Sequence, residues 1–176
     1  MISLISCTRN SASSMAALAL GLTSLNAWQE GRPLDGEGQR AEFWSEASNL
    51  ARRASGSACR SLYPFAASWG HMPEVEGSLD TRALPACLHQ SFLGMGDAIL
   101  LIDSGEKGVS SRAGHALMHG HPYAPARFQR AREHALRAIR ALSLGDWEEL
   151  AKMTEAEALD LHAMMLTSDP WFALMR

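Results

Sequence analysis

The C-terminal third of the chain has the clearest periodicity. From Phe128, the apolar residues Ala131, Ala135, Leu136, Ile139 and Leu142 fall at offsets 3, 7, 8, 11 and 14, one stripe of an α-helix. Trp147, Leu150, Ala151, Thr154, Ala158, Leu161 and Met165 mark a second stripe. Between the two helices, Gly145-Asp146 reads as a helix stop followed by an N-cap. Both stripes are expected to be core faces. Upstream, residues 97–103 (Asp-Ala-Ile-Leu-Leu-Ile-Asp) form a nearly continuous apolar run bounded by acids. Such a run suits a strand covered on both faces.

The N-terminal half alternates short apolar runs with breaks. Residues 2–7 have strand composition, blurred by two serines, and Asn10, Ser11 and Ser13 then offer N-cap oxygens to a helix running to about Leu25. Residues 31–36 (Gly-Arg-Pro-Leu-Asp-Gly) read as a loop. A second helix is expected over 40–53, with Phe43, Ala47, Leu50 and Ala51 on one face. Small residues from Ala54 lead into a short helix, 65–69 is strand-like, and 70–85 is polar and irregular. The mixture is an α+β pattern.

Composition narrows the function classes. The 176 residues are 47% hydrophobic and 20% charged with a formal net charge of −3, ordinary for a globular chain. Nothing in that balance calls for nucleic acid or an anionic membrane. Arg127, Arg130, Arg132, Arg137 and Arg140 cluster on one predicted helix. They read as its wet face, with an anion-binding surface as the alternative. Cys7, Cys59 and Cys87 have no metal-ligand spacing and read as reduced thiols. Arg9 followed by the apolar stretch 15–25 imitates a secretory signal. We read it instead as a buried Ala/Leu-rich helix opened by Ser13 and Ser14, too short to span a bilayer.

Two segments put small hydroxyl residues beside an arginine. In the first, Ser55-Gly56-Ser57-Ala58-Cys59-Arg60-Ser61, Gly56 permits close backbone approach. Free N–H groups at a helix start favour an anion, and Arg60 could grip a carboxylate or phosphate bidentately. The second, Val109-Ser110-Ser111-Arg112-Ala113-Gly114, repeats the chemistry just after the apolar run 97–103. Together they suggest a site for a polyanion such as a diphosphate. Each alone is also a commonplace serine-rich cap. His115, His119 and His121 invite a metal reading but lack a third ligand of matching spacing, so a surface cluster is expected. His162 reads as a satisfied, partly buried histidine.

Residues 55–63, Ser-Gly-Ser-Ala-Cys-Arg-Ser-Leu-Tyr, match without a gap a signature of diphosphomevalonate decarboxylases, members of the GHMP kinase superfamily. The following 65–69 resembles that family's next strand, with the usual Gly-Gly replaced by Pro64-Phe65. Residues 104–114 resemble its S-D-E-K-K-x-V-S-S-R-x-G segment, and 146–163 its late D-W…H-A helix. Residues 11–18 are similar to its A-S-S-A-x-G-x-A-A-L helix start. The resemblance implies a partial GHMP fold, with the end of the N-terminal domain over 1–69. A ferredoxin-like C-terminal domain lacking its last strands would follow over 70–176.

It also implies an ATP- and Mg²⁺-dependent, cytoplasmic enzyme of the mevalonate pathway acting on mevalonate 5-diphosphate to give isopentenyl diphosphate. By residue, it assigns Ser55, Gly56, Ser57, Ser111 and Arg112 to the substrate diphosphate and Arg60 to orienting the substrate carboxylate. Ser11, Ser13 and Ser14 would be a remnant of the ATP phosphate loop, here shortened and without its glycine. The family's upstream lysine and its catalytic aspartate have no counterpart in this sequence. The expectation is a chain inactive alone, homo-oligomeric or dependent on a partner. The alternative is a non-catalytic diphosphate-binding remnant. A mevalonate or phosphomevalonate kinase is the third reading, disfavoured by the S-A-C-R-S run.

Overall fold

A computed structural model describes residues 3–4, 11–96, 98, 114 and 116–173. The chain divides into two compact units, Met1–Leu93 and Gly94–Arg176. The boundary expected after residue 69 falls inside the first unit.

The first unit is two helices against a small sheet. Strands β1 (Ser3–Leu4), β2 (Ala66–Trp69) and β3 (Ala83–Pro85) pair antiparallel in that order. Ala67 lies opposite Ser3 on one side and Pro85 on the other. Helices α1 (Ser11–Gln29) and α2 (Glu37–Ala54) pack on each other and on a 3₁₀ turn at Ala58–Leu62. Their core is mostly alanine: Ala12, Ala16, Ala19, Ala47, Ala51, Ala58, Ala67 and Ala83, with Cys59, Leu62 and Tyr63. Small side chains let the helix backbones approach closely, which is how so little apolar volume fills the interior.

That packing corrects the reading of α1. Ala12, Ala16, Ala19, Thr23 and Ala27 face inward, at spacings of three and four, whereas Ala17, Leu18, Leu22, Leu25 and Trp28 are exposed. The helix is therefore buried mainly on its alanine face, with Met15 and Leu20 partly buried beside it. It also starts earlier and ends later than expected, so Ser13 and Ser14 sit within its first turn and do not cap it. On α2 the expected face holds, with Phe43, Ala47 and Ala51 buried; Leu50 is partly buried, and Ser48 joins the core. Ser48 Oγ donates to the carbonyl of Cys59 and accepts from the Ala83 amide, tying helix, turn and strand together.

The stretch 70–85 is less irregular than its composition suggests. It carries β3 and a loop closed by Ser78, whose hydroxyl accepts from the Met72 amide and donates to the Met72 carbonyl. Asp80 fastens the loop to the sheet: its carbonyl accepts from Trp69 Nε1 at 2.8 Å and from Arg52 Nε at 3.2 Å.

In the second unit α3 (Ala124–Leu144) and α4 (Trp147–Leu166) form a helical hairpin. Gly145 takes the left-handed conformation at φ 79°, and Asp146 caps α4 by accepting from the Glu149 amide, as the Gly-Asp pair predicts. The expected stripe of α3 is at least partly buried from Ala131 to Leu142, whereas that of α4 is mostly exposed. On α3 the buried residues are Ala124, His134, Ala138, Ala141 and Leu142, while Phe128 is exposed; on α4 they are Met153 and Met164, while Trp147 and Leu161 are exposed.

Electrostatic pairs also run across the hairpin. Arg127 bonds Glu157, Arg130 bonds Asp160 and Arg137 bonds Glu149, each at 2.6 Å. Three of the five arginines thus pair with acids of the neighbouring helix, yet Arg130, Arg132, Arg137 and Arg140 stay exposed, as a wet face requires, and Arg127 is the partly buried one. Apart from Ala98, the strand expected at 97–103 lies outside the described residues.

Candidate functional site

The segment 55–60 begins where α2 ends. Ser55 takes an extended conformation that stops the helix, with its amide bonded to the Ala51 carbonyl. Ser57 then precedes the 3₁₀ turn, and the chain reverses into β2. Two of the amides expected to be open to an anion are used by the turn: Ala58 donates to Ser55 and Arg60 to Ser57. Those two donors are thereby spent on closing the turn. Ser55 and Ser57 are partly buried and Gly56 is exposed. A Cβ on Gly56 would meet nothing within 4 Å, so the chain's own packing leaves open space in front of that residue.

Arg60 is buried, with 8% of its surface exposed. Burial pushes its guanidinium below the ordinary arginine value, with the neighbouring Cys59 acting in the opposite direction. An arginine remains cationic at neutral pH even so. A desolvated cation gains strongly when an anion arrives, because little water is left to screen or displace. Burial likewise raises the Cys59 thiol, while the charges of Arg60 and Arg52 lower it; both cations are thus felt at one point behind the turn. The Trp69 ring lies under both, with its centroid 4.7 Å from the Arg52 guanidinium carbon and 5.9 Å from that of Arg60.

Phe65, immediately after the turn, has φ 68° and is exposed. A side-chain-bearing residue is strained in that region, where glycine is not. The glycine pair that Pro64-Phe65 replaces in the resembling motif has a physical rationale at its second position. Phe65→Gly is expected to stabilise the first unit by about 1 kcal/mol, partly offset by chain entropy. Urea denaturation checks this; a loss of stability on substitution would refute the strain.

The other expected residues are placed as follows. Ser11, Ser13 and Ser14 lie in the first turn of α1, Ser13 partly buried and Ser14 exposed. Ser111 and Arg112 lie outside the described residues, as does His115. His119 is exposed and His121 buried. The His121 ring is used structurally, with Nδ1 accepting from the Tyr123 amide and Nε2 bonded to Thr167 Oγ1. His162 is partly buried, as expected.

Two open grooves of roughly 700 and 660 Å³ flank Glu42, Ser45 and Arg82, and Ser55, Gly56, Ser57 and Arg60 line neither. One cluster escaped the sequence reading. His134, Glu157 and Asp160 bring ligand-type atoms within 4.8 Å of one another. Arg127 and Arg130 already neutralise its carboxylates, which makes it an ion-pair network and not a built metal centre. Its signal was the spacing of Arg127, Arg130, His134 and Arg137, which puts all four on one helix face.

No protein-family model matches the chain. A diphosphomevalonate decarboxylase from Eremothecium gossypii is 32% identical over 167 residues, covering 92% of this chain and 38% of the relative. The mevalonate diphosphate decarboxylase structure from Legionella pneumophila superimposes with a TM-score of 0.64 at 25% identity, covering 95% of this chain and 48% of that one. A protein designated MDDEF, solved with MVAPP, AMPPCP and magnesium, superimposes at 0.60 with 26% identity, covering 95% and 47%. The chain spans about a third to two fifths of the curated relatives it matches. Its helices and small antiparallel sheet match the corresponding part of the GHMP-type fold of these decarboxylases. Among the described residues no helix is long and apolar enough to cross a membrane.

Proposed function

We propose, from the premise that the chain belongs to the diphosphomevalonate decarboxylase family, that it carries part of the substrate side of a site for mevalonate 5-diphosphate. The observation that supports this most is the buried Arg60 on the turn Ser55–Arg60, in the segment that matches the family signature without a gap. The reaction would be the ATP-dependent decarboxylation that yields isopentenyl diphosphate. Phosphorylation of the tertiary hydroxyl makes it a good leaving group. Its departure builds positive charge at the tertiary carbon, and loss of carbon dioxide supplies the electron pair that forms the double bond.

Within that chemistry the chain's residues bind and orient. Arg60 would hold the carboxylate by a charge-assisted, bidentate contact until the leaving group departs. The hydroxyls of Ser55 and Ser57, with the open space before Gly56, suit diphosphate oxygens, and we assign Ser111 and Arg112 to the same group. The hydroxyls of Ser13 and Ser14 in the first turn of α1 suit nucleotide phosphates. That turn holds no acidic residue, so Mg²⁺ finds no carboxylate there and would be carried by the phosphates.

Isothermal titration of the full chain with mevalonate 5-diphosphate tests the binding, and a coupled ADP-release assay tests turnover. Binding without turnover is the expected pair of results. Absence of binding would refute the reading, and substrate-dependent ADP release would show that the catalytic groups are more complete than proposed. Residence in the cytoplasm belongs to the same proposal.

A further inference from the structure

Two arginines share one indole in the first unit, and only one of them figures in the site above. Arg60 reaches the Trp69 ring from the 3₁₀ turn, whereas Arg52 reaches it from the last turn of α2. Like charges converging on one side chain need a reason. The face of an indole is electron-rich and attracts guanidinium groups most strongly where water is scarce. Trp69 is itself fixed at both ends of its polar inventory: its backbone lies in β2 opposite Ala83, and its Nε1 donates to the Asp80 carbonyl. That same carbonyl accepts from Arg52 Nε. The ring cannot turn without breaking a hydrogen bond, and Arg52 is bound to the ring and to its anchor at once.

We infer that Trp69 is a positioning residue, holding the guanidiniums of Arg52 and Arg60 in one arrangement so that an anionic substrate meets two fixed cations. Among the described residues the bond of Arg52 to Asp80 uses Nε, which leaves its two terminal nitrogens for a ligand. Arg52 would thereby be a second cationic determinant of affinity for a carboxylate- or diphosphate-bearing ligand. This rests on the substrate reading proposed above.

Two measurements on the full chain separate the inference from that reading. In the first, the Nε–H signals of Arg52 and Arg60 are assigned by NMR with no ligand present. Ring current should displace both. Trp69→Leu should abolish the displacement, and Trp69→Phe should largely retain it. Unmoved signals in Trp69→Leu overturn the positioning role whatever the ligand. In the second, inorganic pyrophosphate and mevalonate 5-diphosphate are titrated into each variant.

Trp69→Leu should weaken binding about two- to thirtyfold, with most of the affinity restored in Trp69→Phe. Its effect should be smaller in an Arg60→Ala background than in the parent. Equal loss in the Leu and Phe variants would mean that the residue merely packs, and overturns the inference. Should the parent bind neither probe, the substrate reading and the two-cation role fail together, while the NMR result still decides whether Trp69 holds the arginines.

Discussion

Arg60→Ala should weaken binding of mevalonate 5-diphosphate by about ten- to hundredfold, the loss of a charge-assisted contact worth roughly 1.5–3 kcal/mol. The size follows from burial. Arg60 is 8% exposed, so its charge is poorly screened and an anion brought to it exchanges little water. Arg60→Lys should recover only part of the loss, because an ammonium group cannot present two parallel donors to a carboxylate. Calorimetric titration of the three proteins measures both effects, and far-UV circular dichroism checks that the turn has survived. Unchanged affinity in Arg60→Ala would remove the arginine from the site.

The second large effect is expected in the other unit, at Glu157. Its carboxylate accepts from Arg127 at 3.2 and 2.6 Å and pairs with His134 Nδ1 at 2.7 Å. Arg127 is mostly buried, so Glu157→Gln leaves it without its counter-charge and also removes the carboxylate bonded to His134 Nδ1. Removing one partner of a buried pair costs several kcal/mol. Glu157 is itself about one-third exposed, which reduces the expected loss to about 1–3 kcal/mol.

Burial raises the Glu157 carboxyl, but the hydrogen bonds and charges of Arg127 and His134 outweigh it and hold the group below its usual value. A depressed folded-state pKa contributes stability that is present above the unfolded value. It is lost as pH falls through the folded one. The stability gap between parent and Glu157→Gln should therefore be full near neutrality and shrink below the ordinary glutamate value of 4.5. Amide hydrogen exchange in α3 and α4 measures the effect at neutral pH, and urea denaturation follows it into acid. A gap independent of pH would mean that the carboxylate charge contributes nothing.

Much of the candidate site was legible because its signals are local. The ungapped run 55–63 drew attention to Arg60 and its serines, and the structure puts them on the turn between α2 and β2. The partnership of Arg60 with Trp69 was not legible. It joins residues on different elements, and the loop residue Asp80 fixes the ring. The turn amides were misjudged for a related reason. Small hydroxyl residues suggest an open helix start, but closing the 3₁₀ turn consumes the donors of Ala58 and Arg60.

By itself the sequence determined that the helices exist and where the C-terminal hairpin turns: Gly145 and Asp146 break and restart the chain through their own backbone and side-chain preferences. On α2 the sequence also predicted the buried face, but only the tertiary structure decided which face of α1 and α4 is inside. On α1, alanines let the backbones close and leave Leu18, Leu22, Leu25 and Trp28 outward; on the hairpin, His134 is inside beside the cross-helix ion pairs, while Phe128 and Trp147 are out. Capping and turn preferences involve a few neighbouring residues and act before the chain has folded. Burial is a competition between faces, won by whichever finds a complementary surface far away in the sequence.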